Sequence, residues 1–155
     1  MVKWDKVWYN SRKWQRMVVI AGGMMAFEDV NYTYIVAGDE MARVMSEKHP
    51  ERKIIPFRED LSKGRYDGFF IDSDFIRERA LFWGVTDSEY TGKLRPIIDL
   101  DMSGGIVLCF GEDDCCRANM EFVIGYLRGK GYAKALRVNI VDEYTLDLLN
   151  EYFVD

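Results

Sequence analysis

A chain of 155 residues fits a single domain built around one buried core. With 48% hydrophobic, 30% charged and 14% aromatic residues it has the composition of a folded globular protein, which excludes a disordered or low-complexity chain. A net charge of −5 argues against bulk affinity for nucleic acid or for an anionic membrane.

The charge is unevenly spread. Lys3, Lys6, Arg12, Lys13 and Arg16 stand against Asp5 alone, so the first sixteen residues carry +4 and the remainder −9. Trp4, Val7, Trp8, Ser11, Trp14 and Val18 recur near helical spacing, so residues 1–30 are expected to form an N-terminal helical arm. Basic residues interleaved with tryptophan would also suit phosphate contact and base stacking. The helical spacing favours packing instead, on the domain or on a second copy as a homo-oligomer. "MVVIAGGMMAF" (17–27) follows a basic leader as a signal-peptide core does, yet it is too short to span a bilayer. Three cysteines, Cys109, Cys115 and Cys116, make no disulfide framework, and a cytoplasmic protein is the simplest expectation.

Residues 31–155 are expected to form one α/β domain. "NYTYIVAG" (31–38) is aromatic and β-branched and predicts a strand; "DEMARVMSEK" (39–48) places Met41, Val44 and Met45 on one helical face, closed by His49 and Pro50. "KIIPF" (53–57) predicts a second strand, in which Pro56 marks an end or an exposed edge. "SDFIRERALFW" (73–83) predicts a helix with Ser73 as N-cap and Gly84 as its stop, and "TDSE" (86–89) is a capping box opening another. "IVLCF" (106–110) is a third strand. A helix from about Asp114 to Arg128 follows, with Cys116, Met120, Val123, Ile124 and Leu127 on its apolar face. "ALRVNIV" (135–141) is a fourth strand and "TLDLLNEYF" (145–153) a closing helix. Strands alternating with helices predict a Rossmann-like, three-layer α/β domain with a mainly parallel sheet of four or five strands.

In such sheets ligands bind beyond the carboxyl ends of the strands. The four predicted strands run into Gly38-Asp39, Arg58-Glu59-Asp60, Gly111-Glu112-Asp113-Asp114 and Asp142-Glu143, so parallel strands would crowd these carboxylates along one edge. Like charges brought together become tolerable with a cation, an arginine or a shared proton. Mg²⁺ is the hard cation such a set would hold, and Arg58 and Arg77 would grip a phosphate or carboxylate. The candidate ligand-binding residues are therefore Asp39, Arg58, Asp60, Arg77, Glu112 and Asp114. Asp39, Asp113 or Asp114, and Asp142 also stand where helix N-caps belong, where acid suits the helix dipole. Recurrence at four strand ends favours a ligand edge over capping alone. The thiols are expected to be bystanders, and with His49 the sole histidine, histidine-based nucleophilic catalysis is not indicated. "AGG" (21–23) and "SGG" (103–105) lack the spacing of a nucleotide-binding loop.

At "IVAGDEMARVM", "IIPFREDLSKG", "RERALFWG" and "VLCFGEDDCCRANMEFVIGYL" the chain resembles a bacterial family known as domain of unknown function 1835. The shared features fall on Gly38-Asp39, on Arg58 to Leu61 and Gly64, and on Phe110 to Cys115, within residues 33–142. Arg65 replaces an expected proline and Phe110 a common tryptophan. The family implies domain limits and motif positions but no activity. Two functions are thus expected as alternatives: a ligand-binding or enzymatic domain acting on a small anionic compound, phosphorylated ones included, or a non-catalytic interaction or regulatory module.

Overall fold

The computed structural model describes residues 32–155 throughout and, before them, the backbone of three strands, Lys3–Tyr9, Lys13–Ile20 and Met24–Phe27, paired antiparallel in a sheet of their own where a helical arm was expected over residues 1–30; the elements of residues 32–155 are numbered here. In chain order the elements are β1 (Tyr32–Ala37), α1 (Gly38–Lys48), β2 (Lys53–Phe57), α2 (Ser73–Trp83), α3 (Asp87–Ile98), β3 (Gly105–Phe110), α4 (Asp114–Gly129), β4 (Leu136–Val141) and β5 (Leu148–Val154). The five strands form one sheet in the order β2-β1-β3-β4-β5. β1 pairs in parallel with β2 and β3, β3 in parallel with β4, and β5 runs antiparallel to β4.

Alternation along the strands sorts the core into two faces. Ile35, Ile106, Leu108, Phe110 and Val138 point to one side, where Phe75, Tyr90, Leu94, Phe122 and Leu127 of α2, α3 and α4 cover them. Tyr34, Val36, Val107, Cys109 and Val141 point to the other, onto Met41 and Met45 of α1. Both faces of the parallel strands are therefore dry, which is why those strands read as nearly continuous apolar runs. Phe122 is the aromatic hub of the larger cluster. Its ring stacks on Phe75 at 5.1 Å and on Phe57 at 6.0 Å, and meets Tyr66 edge-on at 5.7 Å.

Local signals explain most boundaries. The Thr86–Glu89 capping box is formed, and Gly84 ends α2 in the left-handed conformation at φ +68°. β2 is an edge strand, as Pro56 implied. His49 closes α1, donating its backbone N–H to the Met45 carbonyl at 2.8 Å while Nδ1 lies 3.6 Å from Glu51. Gly125 is packed against Phe69, whose ring occupies the space a β-carbon would need.

Within residues 32–155 two expectations are corrected. The N-cap of α2 is Asp72 rather than Ser73, with its carboxylate accepting the Phe75 N–H at 2.8 Å. Residues 145–153 do not form a closing helix: after a turn in which Asp142 Oδ1 accepts the N–H groups of Tyr144 and Thr145, the chain runs back as β5. The leucine and phenylalanine spacing there suits a helix, but pairing with β4 completes the sheet and joins Arg137 to Glu151 at 3.1 Å. Among the described residues no helix is long and apolar enough to cross a membrane.

Candidate functional site

The strand order reverses direction between β1 and β3, since the chain leaves β1 towards β2 and returns over β1 to β3. In open sheets of this topology ligands bind beyond the carboxyl ends of the strands at such a switch point. Gly38 (φ +80°) carries the chain from β1 directly into α1, with open space where a side chain would stand. Asp39 follows. It does not cap α1, because the capping position is Ala37 and makes no side-chain bond. Its carboxylate instead accepts Arg58 Nε at 2.8 Å, across from the end of β2. Arg58 Nη1 also donates to the Lys93 carbonyl of α3 at 3.4 Å. The Asp39 side chain is 68% exposed and that of Arg58 36%, a pairing that contributes about 0–1 kcal/mol to stability.

Asp60 stands next on the same edge. Burial alone would raise its pKa, but hydrogen bonds from Ser62 and the Cys115 thiol, and the charge of Lys63 at 3.5 Å, outweigh this and hold it below the usual carboxylate range. The loop after β2 therefore reaches the first turn of α4, which begins beyond β3. Cys115 is half-buried, and burial with the neighbouring Asp60 carboxylate pushes its pKa up to about 12. Burial pushes Cys109 and Cys116 up to about 11. The raised values disfavour the thiolate form at all three cysteines.

The remaining expected site residues are placed less centrally. Glu112 and Asp114 face solvent, and the cap of α4 is Asp113, which accepts the Cys116 N–H at 2.8 Å. Asp142 organises the turn into β5. Arg77 is exposed on α2. Among the described residues, no three His, Cys, Asp or Glu side chains converge to hold a metal ion. The acids at the four strand ends are thus divided between ion pairing, capping, turn formation and open solvent.

The most ordered polar feature is one that sequence reasoning passed over. Glu59 and Arg79 are a buried ion pair, 1% and 0% exposed. Glu59 Oε1 accepts Arg79 Nη2 at 2.9 Å, the Trp83 indole N–H at 2.8 Å and the Asp60 N–H at 2.8 Å. Oε2 accepts Arg79 Nε at 3.0 Å and the Tyr90 hydroxyl. Burial would raise the Glu59 pKa, but Arg79, Tyr90 and the Asp60 amide together hold it below its ordinary value of 4.5. Tyr90 is pushed up by burial and by the Glu59 charge. Asn119, also buried, donates to the Glu59 carbonyl and accepts the Leu61 N–H at 2.9 Å. Both polar residues were signalled weakly in the sequence. Arg79 lies four residues after Phe75, and Asn119 three after Cys116, each on the apolar face of its helix.

Comparisons with protein-family models, curated proteins and solved structures returned no match to this chain.

Proposed function

We propose that the carboxyl edge of the sheet binds a small anionic compound, with Arg58 as its principal contact. One observation carries the reading. A half-exposed guanidinium at the carboxyl end of the edge strand β2 is oriented by Asp39 and the Lys93 carbonyl, and among the described residues these engage two of its five N–H groups. The three that remain suit a carboxylate or phosphate. Asp60 and Glu112 border the same edge and would accept from hydroxyl groups of the ligand, while Asp114 and Arg77 extend its charged margin. The Rossmann-like description of the topology, the kinship with domain of unknown function 1835, a cytoplasmic location and self-association through residues 1–30 belong to this reading.

The test is a titration followed by the Arg58 Nε–H signal in ¹H–¹⁵N spectra and by thermal melting. Inorganic phosphate, Mg²⁺ alone and a panel of phosphorylated metabolites are the probes. Binding that moves the Arg58 signal and disappears in Arg58→Gln supports the site. If no probe moves the signal or the melting temperature, the reading is wrong.

A second reading has its own observation. Phe70, Leu81, Phe82 and Trp83 are large apolar side chains left 60%, 75%, 46% and 41% exposed, more than a solitary enzyme surface requires. They favour a non-catalytic interaction module, and it becomes the better account if the titrations fail.

A further inference from the structure

The segment joining β2 to α2, residues 58–72, is fifteen residues long and has no helix or strand of its own. Connections of that length are uncommon in compact domains, and those that are ordered tend to carry function. This one is held by polar groups buried beneath it. Arg79 spends all five of its N–H groups on it: two on the Glu59 carboxylate, and one each on the carbonyls of Asp60 at 3.1 Å, Lys63 at 2.7 Å and Arg65 at 3.3 Å. From α4, Asn119 imitates a backbone partner, donating to the Glu59 carbonyl and accepting from the Leu61 N–H. Residues 59, 60 and 61 are thereby gripped on their main chain from two different helices. Arg58 is the residue immediately before them and Asp60 lies among them.

A buried ion pair is a poor device for stability alone, because well-packed apolar residues of the same volume serve as well or better. What it confers is a single backbone geometry. We infer that Arg79 and Asn119 are positioning residues that fix the direction of Arg58 and Asp60 at the carboxyl edge, as the supporting groups around a binding site do. The inference rests on the reading of that edge as an anion site for its purpose, but its geometry can be measured without any ligand.

The experiment uses the full chain, with Arg79→Lys and Asn119→Ala as variants and two side-chain signals as readouts. The Trp83 indole N–H, hydrogen-bonded to Glu59, reports whether the buried anchor survives. The Arg58 Nε–H, hydrogen-bonded to Asp39, reports the edge. In Asn119→Ala the Trp83 signal is expected to persist while the Arg58 signal moves or broadens and inorganic phosphate binds about tenfold more weakly. Arg79→Lys is expected to disturb both signals. A folded Asn119→Ala protein with an unchanged Arg58 signal would overturn the inference, whatever the phosphate result. If the parent protein shows no phosphate binding but its Arg58 signal responds to Asn119→Ala, the anion reading fails and the positioning role stands.

Discussion

Replacing Arg79 by methionine keeps much of the side-chain volume and removes the charge that neutralises a carboxylate only 1% exposed. Five hydrogen bonds vanish together. Glu59 retains the Trp83 indole, the Tyr90 hydroxyl and the Asp60 N–H, whereas the carbonyls of Asp60, Lys63 and Arg65 each lose a donor. Breaking a buried pair from one side costs about 3–5 kcal/mol, since the stranded charge must be desolvated without compensation. For a domain of this size that corresponds to roughly 10 °C or more in melting temperature. Glu59→Gln breaks the same pair from the other side, strands the buried Arg79 guanidinium, and is expected to cost a comparable amount. The effect has a definite pH dependence. The folded-state pKa of Glu59 lies below its ordinary value of 4.5, so its contribution is complete above that value and is lost as pH falls through the lower folded value. The parent protein should therefore lose stability on acidification more steeply than Glu59→Gln. Urea unfolding of both variants at neutral pH and at pH 4 measures the two slopes. An Arg79→Met protein destabilised by less than about 1 kcal/mol would refute the reasoning, since the pair would then be solvated or replaceable.

Other outcomes follow from single side chains. Asp113→Ala should cost about 0.5–2 kcal/mol by removing the cap of α4, whereas Glu112→Gln should leave the melting temperature unchanged or slightly raised; equal losses would show that Glu112 has a structural partner. Gly125→Ala places a methyl group against the Phe69 ring and should destabilise by about 1–3 kcal/mol, read by thermal melting; an unchanged transition would mean that Phe69 moves away freely. Cys115 and Cys116 should react slowly with an aromatic disulfide reagent at pH 8 in the native state, their pKa values being pushed up to about 12 and about 11, and fast labelling of either would revive thiol chemistry.

The strands were legible because each buried face writes itself as alternation or as an apolar run: Tyr32–Ala37, Lys53–Phe57 and Leu136–Val141 fall within the expected segments, and Gly105–Phe110 begins one residue before its own. β5 was not, since Leu148, Leu149 and Phe153 satisfy helical spacing as well as strand spacing. Only the partner β4, with Arg137 opposite Phe153 and Asn139 opposite Glu151, decides between them. The Asp39–Arg58 pair was half legible: both residues were candidates, but their contact depends on the parallel register of β1 with β2. Glu59 stands in the Arg58-Glu59-Asp60 run with no role expected of it, and among the arginines of α2 only Arg77 is a candidate. A charged residue earns a buried position only when its counter-charge arrives from elsewhere, and here that partner lies 20 residues away. Solvent-facing acids at strand ends, by contrast, cap, turn or pair with equal chemical ease, so composition could not assign them.

The strand order has a consequence for how the chain folds as it is made. Ile35 of β1 pairs with Ile55, 20 residues on, and with Leu108, 73 residues on. A nascent chain emerging from the ribosome can close the first pairing early, but one flank of β1 stays open until β3 has been synthesised. During that interval its unsatisfied backbone groups and apolar side chains form a bare strand edge, the kind of surface that recruits other chains. The vulnerable stage of this protein's life is thus a translational one, and slowing elongation between residues 58 and 104 should lengthen it.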